Sequence, residues 1–172
     1  MARYDRGDQW KLIQSTTINT MIPNPQLHEF LKSYPDHIGQ LAIEIRNYIT
    51  NLIPEANELI WDNYNALAMA YSKSEVLKDA FCHVAVYGKH VNLGFNRGSE
   101  LTQSSSIKLE GNGKLIRHIK IHEIADLYTP GIEKLIWEAL GISETRNENL
   151  IQKDSPGRSI VMSISDKKRR PR

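Results

Sequence analysis

The order of hydrophobic periods constrains this chain more than any other feature: one amphipathic helix pattern, five short β-type runs, then a second amphipathic helix pattern. Ile38, Leu41, Ile45, Tyr48, Ile49 and Leu52 recur at three- and four-residue steps, which puts them on one stripe of a helix that Pro54 ends. Ser33-Tyr34-Pro35-Asp36 supplies its start, a hydroxyl followed three residues later by a carboxylate, with proline in the first turn. A shorter helix is predicted from Asn24-Pro25 to Lys32. Thr129-Pro130 opens the second long helix, with Ile132, Leu135, Ile136, Ala139 and Leu140 on one face and Gly141 as its stop.

Between these helices Leu59–Trp61, Ala66–Tyr71, Phe81–Tyr87, Val91–Phe95 and Lys114–Ile121 each suit a strand, and turn residues such as Gly111-Asn112-Gly113 separate them. Two helices with one apolar stripe each bury those stripes together when both lie on the same face of an antiparallel sheet. The expectation is therefore an α+β domain, a two-layer sandwich whose second sheet face is left to solvent or a ligand. Residues 1–22 read as a flexible arm, 23–146 as the single domain, and 147–172 as a basic tail, disordered from Asp166.

Charge is segregated along the chain. Five of the 22 basic residues stand in the last six positions, so residues 1–166 carry 17 basic against 20 acidic groups. Within that acidic body, residues 87–120 hold six Lys or Arg against two acids. A basic window on an acidic body predicts one place for an anionic ligand, and the terminal run predicts only non-specific attraction to nucleic acid. No apolar run spans a bilayer and no signal-peptide pattern opens the chain, so a cytoplasmic protein without a membrane partner is expected.

Strand alternation decides which side chains meet. It sets Cys82, Val84 and Val86 toward the core, and His83, Tyr87, His90, Asn92, His118 and Lys120 toward the open face. The candidate ligand site combines Trp61, Tyr64, His83, Tyr87, His90, Asn92, Arg97, Lys114, Arg117 and His118. In it the three cations neutralise a small anionic or phosphorylated molecule, the imidazoles exchange protons, and Trp61 and Tyr87 form a stacking wall.

Three other chemistries bear on these residues. His83, His90 and His118, with His122, offer imidazoles for a metal, although their spacing matches no ligand motif. Glu110 or Asp126 offers a carboxylate as partner for Arg117 or as a general base, without a constellation that forces catalysis. Cys82 and His83 point to opposite faces and cannot act as nucleophile and base, so the lone cysteine reads as core.

His90-Val91-Asn92-Leu93-Gly94-Phe95, Arg97-Gly98, Leu101, Leu109-Glu110-Gly111-Asn112-Gly113-Lys114 and Arg117-His118-Ile119, after Trp61, together resemble the YdhG-like family of small, mostly bacterial proteins. The resemblance covers about residues 38–141. It implies an α+β domain similar in shape to frataxin and, for one branch, an intracellular iron chaperone. That role would draw on carboxylates, and the corresponding stretch of this chain offers Glu44, Glu55, Glu58 and Asp62, with Arg46 among them.

Overall fold

The computed structural model describes residues 21–102, 107–151 and 155–169. Helix α1 (Pro25–Leu31) is capped by Asn24, whose Oδ1 accepts the Gln26 N–H at 3.0 Å. Helix α2 (Asp36–Leu52) begins later than the capping motif predicts, with Pro35 at the cap position and no side-chain cap. Proline disfavours a helical residue before it, and Tyr34 is instead drawn into the core, where its hydroxyl accepts the Leu67 N–H at 2.8 Å.

Six strands follow: β1 (Asn57–Asp62), β2 (Leu67–Ser72), β3 (Cys82–Val86), β4 (Val91–Phe95), β5 (Arg117–Ile121) and β6 (Ser159–Ile164), in the sheet order β5-β4-β3-β2-β1-β6. The first five form the expected antiparallel meander. β6 corrects the reading of residues 147–172 as a tail, because it runs parallel to β1 and closes that edge. Its partner lies about a hundred residues upstream, so no local pattern could announce it. Downstream, Ser165 donates its N–H to the Asp62 carbonyl at 2.9 Å and Arg169 to that of Tyr64 at 2.8 Å. Lys168 pairs with Asp62, so the stretch expected to be disordered from Asp166 is seated against the β1–β2 hairpin as far as Arg169.

Between β5 and β6 come α3 (Ile124–Leu127) and α4 (Ile132–Arg146). Gly131, at φ 104°, takes the cap position expected of Thr129, and α4 passes through Gly141 instead of stopping there. A glycine inside a helix costs only about 1 kcal/mol. The turn beyond it is held by the Ser143 hydroxyl on the Asp79 carbonyl at 2.6 Å and by Lys73 against Glu144 at 2.8 Å.

The helices pack on one sheet face. Ile38, Ile45 and Ile49 of α2 and Ile132 and Ile136 of α4 share a single core with Met69, Val84, Val86, Leu93 and Phe95. Within it Arg46 and Glu58 form an ion pair at 2.9 Å, both essentially inaccessible. Tyr71 donates to Glu58 Oε1 at 3.2 Å, and Ser159 donates to its other oxygen, which fastens β6 to the core. Among the described residues no helix is long and apolar enough to cross a membrane.

Candidate functional site

Cross-strand pairing assembles the second sheet face in rows. One row runs Leu59, Ala70, His83, Gly94, His118, and the next Trp61, Ala68, Ala85, Asn92, Lys120. Small residues on the central strands leave a low floor between Trp61 at one side and the imidazoles at the other. Gly94 is part of that floor by necessity: a Cβ there would lie 2.2 Å from His83 Nε2, so only glycine lets the ring lie across β4.

His83 Nδ1 stands 2.7 Å from Asn96 Oδ1. An amide oxygen only accepts, so Nδ1 carries the proton and Nε2 is left as an acceptor. Burial pushes the His83 pKa below that of a free imidazole, and the neighbouring His118 adds to the shift; the Asn96 bond opposes it. His90 precedes β4 and stacks on Tyr87, with ring centroids 5.1 Å apart, and the His122 ring stands 5.8 Å from it, tilted by 45°. Its pKa is also lowered, first by desolvation and then by His122, Lys120 and His118, against a single opposing carboxylate, Glu110.

Glu110 pairs with Lys120 at 2.8 Å, which holds its carboxyl below the usual range. It also exchanges backbone hydrogen bonds with His118 at 2.8 and 2.9 Å. Asn92 Oδ1 is buried and has no hydrogen-bond partner among the described residues. The cluster therefore gathers several imidazoles and one ammonium on a common face, with a buried, unserved amide oxygen beneath them.

Of the predicted set, the structure brings together His83, Tyr87, His90, Asn92 and His118. Trp61 shares their face but stands three strands from Asn92 in the same row. Tyr64 is exposed in the β1–β2 turn, apart from them. The three cations expected to neutralise the ligand do not join. Arg117 pairs with the core residue Phe95, so it stands on the helix-side register, and its guanidinium donates to the carbonyls of Gly113 at 2.6 Å and Ile116 at 2.7 Å. Lys114 is exposed in the turn before β5. Arg97 pairs with Glu100 and lines a separate cleft of about 580 Å³ with Lys78 and Arg146.

The two carboxylates considered as partners of Arg117 are engaged elsewhere, Glu110 by Lys120 and Asp126 by the N–H groups of His122 and Glu123 at the start of α3. Two of the carboxylates implied for iron are committed as well, Glu58 to Arg46 and Asp62 to Lys168. Among the described residues no group of three or more His, Cys, Asp or Glu is gathered closely enough to hold a metal ion. Cys82 is buried and its thiol pKa is pushed up by that burial, as for an inert core residue.

Sequence reasoning left out Asn96, the residue that orients His83. Its only signal is an amide one residue beyond the end of β4, on a strand already carrying candidates. Lys120 and His122 were legible from alternation and proximity to His118. No family model, curated protein or solved structure matches this chain.

Proposed function

We propose that the protein binds a small organic or phosphorylated anion on the open face of its sheet, at the cluster of His83, His90, Asn92, His118, Lys120 and His122. The observation that carries this reading is geometric: His83, His118 and Lys120 share one sheet face with Asn92, and His90 stacks on Tyr87 with His122 5.8 Å away. Desolvation first lowers the His90 pKa, His122, Lys120 and His118 add to that, and one carboxylate, Glu110, already paired to Lys120, opposes them. A bound anion offsets those charges, so the His90 imidazole takes up a proton as the ligand arrives. A ligand hydroxyl or amine then serves His83 Nε2, and the small side chains of Ala68 and Ala85 leave room for a flat molecule toward Trp61.

The charge-bearing groups differ from those expected from the sequence, with Lys120 and His122 taking the place of Arg97, Lys114 and Arg117. Resemblance to the YdhG-like family belongs to the same proposal, since it rests in part on His90, Asn92, Gly94 and His118. Thermal-shift measurement with pyrophosphate and a panel of di- and tricarboxylic acids, at about pH 6 and about pH 8, tests it. These values bracket the free-imidazole pKa near 6.5. Stabilisation larger at the lower pH, and lost in His90→Ala and Lys120→Gln, is the expected result; stabilisation independent of pH and of both substitutions contradicts it.

A second reading, proton abstraction from a bound substrate, is favoured by one observation. Asn96 fixes the tautomer of His83 and burial keeps it neutral, which is the state a general base requires.

A further inference from the structure

The helical layer carries a second cleft whose chemistry is opposite to that of the imidazole face. It lies between α2 and α3, encloses about 550 Å³, and is walled by Glu44, Tyr48, Asn51, Leu52, Ile124 and Tyr128. The four α2 residues fall at helical spacings that place them on one side of that helix. The rings of Tyr48 and Tyr128 meet edge to face, with centroids 5.8 Å apart and planes at 90°, so they form two walls of an open corner. Leu52 and Ile124 add apolar surface, and Asn47 also lines the cleft.

Two observations indicate what enters. Asn51 Oδ1 is buried and has no hydrogen-bond partner among the described residues. Asparagine χ2 is a broad torsion, so a small rotation turns that acceptor toward a donor in the cleft. The charge is of one sign: Glu44 lines the cleft, the Glu133 charge adds to burial in raising the Tyr48 pKa, and no Lys, Arg or His is among the described lining residues. An unserved acceptor, a carboxylate and the faces of two tyrosines all favour a cation with N–H donors and a hydrocarbon body. An anion is repelled by Glu44. A neutral hydrocarbon fills the apolar corner but leaves the Asn51 amide oxygen unserved and the Glu44 carboxylate, which accepts from Gln40 Nε2 at 3.3 Å, without a counter-charge in the cleft.

We propose that this cleft binds an organic ammonium ion, its N–H groups donating to Asn51 Oδ1 and the Glu44 carboxylate and its apolar body resting against Tyr48, Tyr128, Leu52 and Ile124. The site is independent of the anion-binding reading, because it uses none of the same residues and takes the opposite charge.

Titration of the full chain with benzylammonium, followed by nitrogen–proton correlation spectra, tests the assignment, with benzyl alcohol as a neutral probe of nearly the same shape. Saturable shifts centred on Tyr48, Asn51 and Tyr128 are expected, with the alcohol binding about tenfold more weakly. Tyr128 is 66% exposed, so its replacement leaves the core intact. Tyr128→Leu is expected to weaken benzylammonium about tenfold, and Tyr128→Phe to change it by less than about twofold, since the ring is retained. Glu44→Gln is expected to weaken it about fivefold while leaving benzyl alcohol unchanged. Equal affinity for the ammonium and the alcohol, absence of saturable shifts at these residues, or binding indifferent to Tyr128→Leu overturns the proposal.

Discussion

Asn96, one residue past the end of β4, holds Nδ1 of His83 on β3 at 2.7 Å, and so points the bare Nε2 of that imidazole across Gly94 toward His118. The bond sets both the tautomer and the orientation of the central imidazole of the open face. Asn96→Asp places a carboxylate against the same nitrogen, and an adjacent negative charge favours the protonated ring. The His83 pKa is expected to rise in that variant, as followed by proton NMR of the imidazole resonances. Asn96→Leu is expected to leave it low but release the tautomer.

Gly94→Ala tests the packing behind this orientation. A methyl group there occupies the position of the His83 ring, which must turn away and give up its bond to Asn96. The expected loss is about 1–3 kcal/mol of stability by urea denaturation. In His83→Ala the obstacle is gone, so the same glycine substitution is expected to cost less than about 1 kcal/mol, and additive effects would show that the two residues are not coupled.

Acid sensitivity follows from the direction of two shifts. His83 and His90 are both held below the free-imidazole value in the folded chain, so the unfolded chain takes up these protons first as pH falls. The stability linked to them is fully present above about pH 6.5 and is lost as pH falls from there through the lower folded values. Unfolding midpoints at about pH 8 and about pH 5.5 are expected to differ less in His83→Gln than in the original protein.

The buried pair of Arg46 and Glu58 carries the closure of the sheet by its sixth strand. Arg46→Met strands a carboxylate that retains only the hydroxyls of Tyr71 and Ser159, and is expected to cost about 3–5 kcal/mol. Pairing it with Glu58→Leu removes the uncompensated charge and is expected to recover most of that loss. Ser159→Ala, which removes one charge-assisted bond, is expected to cost about 1.5–3 kcal/mol by urea denaturation.

What the sequence discloses and what it hides differ by range of interaction. Val91–Phe95 and the stripe from Ile38 to Leu52 are set by local alternation and helical spacing, and both appear where those patterns place them. Alternation also sends His118 outward and, by the same rule, sends Arg117 to the other side. Counting charge along residues 87–120 ignores that parity, which is why Arg117 does not gather with the histidines, and it ignores the strand ends, which leave Arg97 and Lys114 outside the ladder. β6 is invisible locally because it pairs in parallel with a strand about a hundred residues away, and its anchor is a serine bonded to a buried glutamate. The helix through Gly141 is decided by contacts of Ser143 and Glu144 with distant residues, which no stop signal records.

The most direct measurement of the central claim is the titration of the His90 imidazole by NMR, without and with pyrophosphate. The His90 pKa is expected to lie below that of a free imidazole in the absence of the anion and to rise on its addition. A His90 titration that pyrophosphate leaves unmoved, with a thermal midpoint equally unmoved, contradicts an anion site on this face.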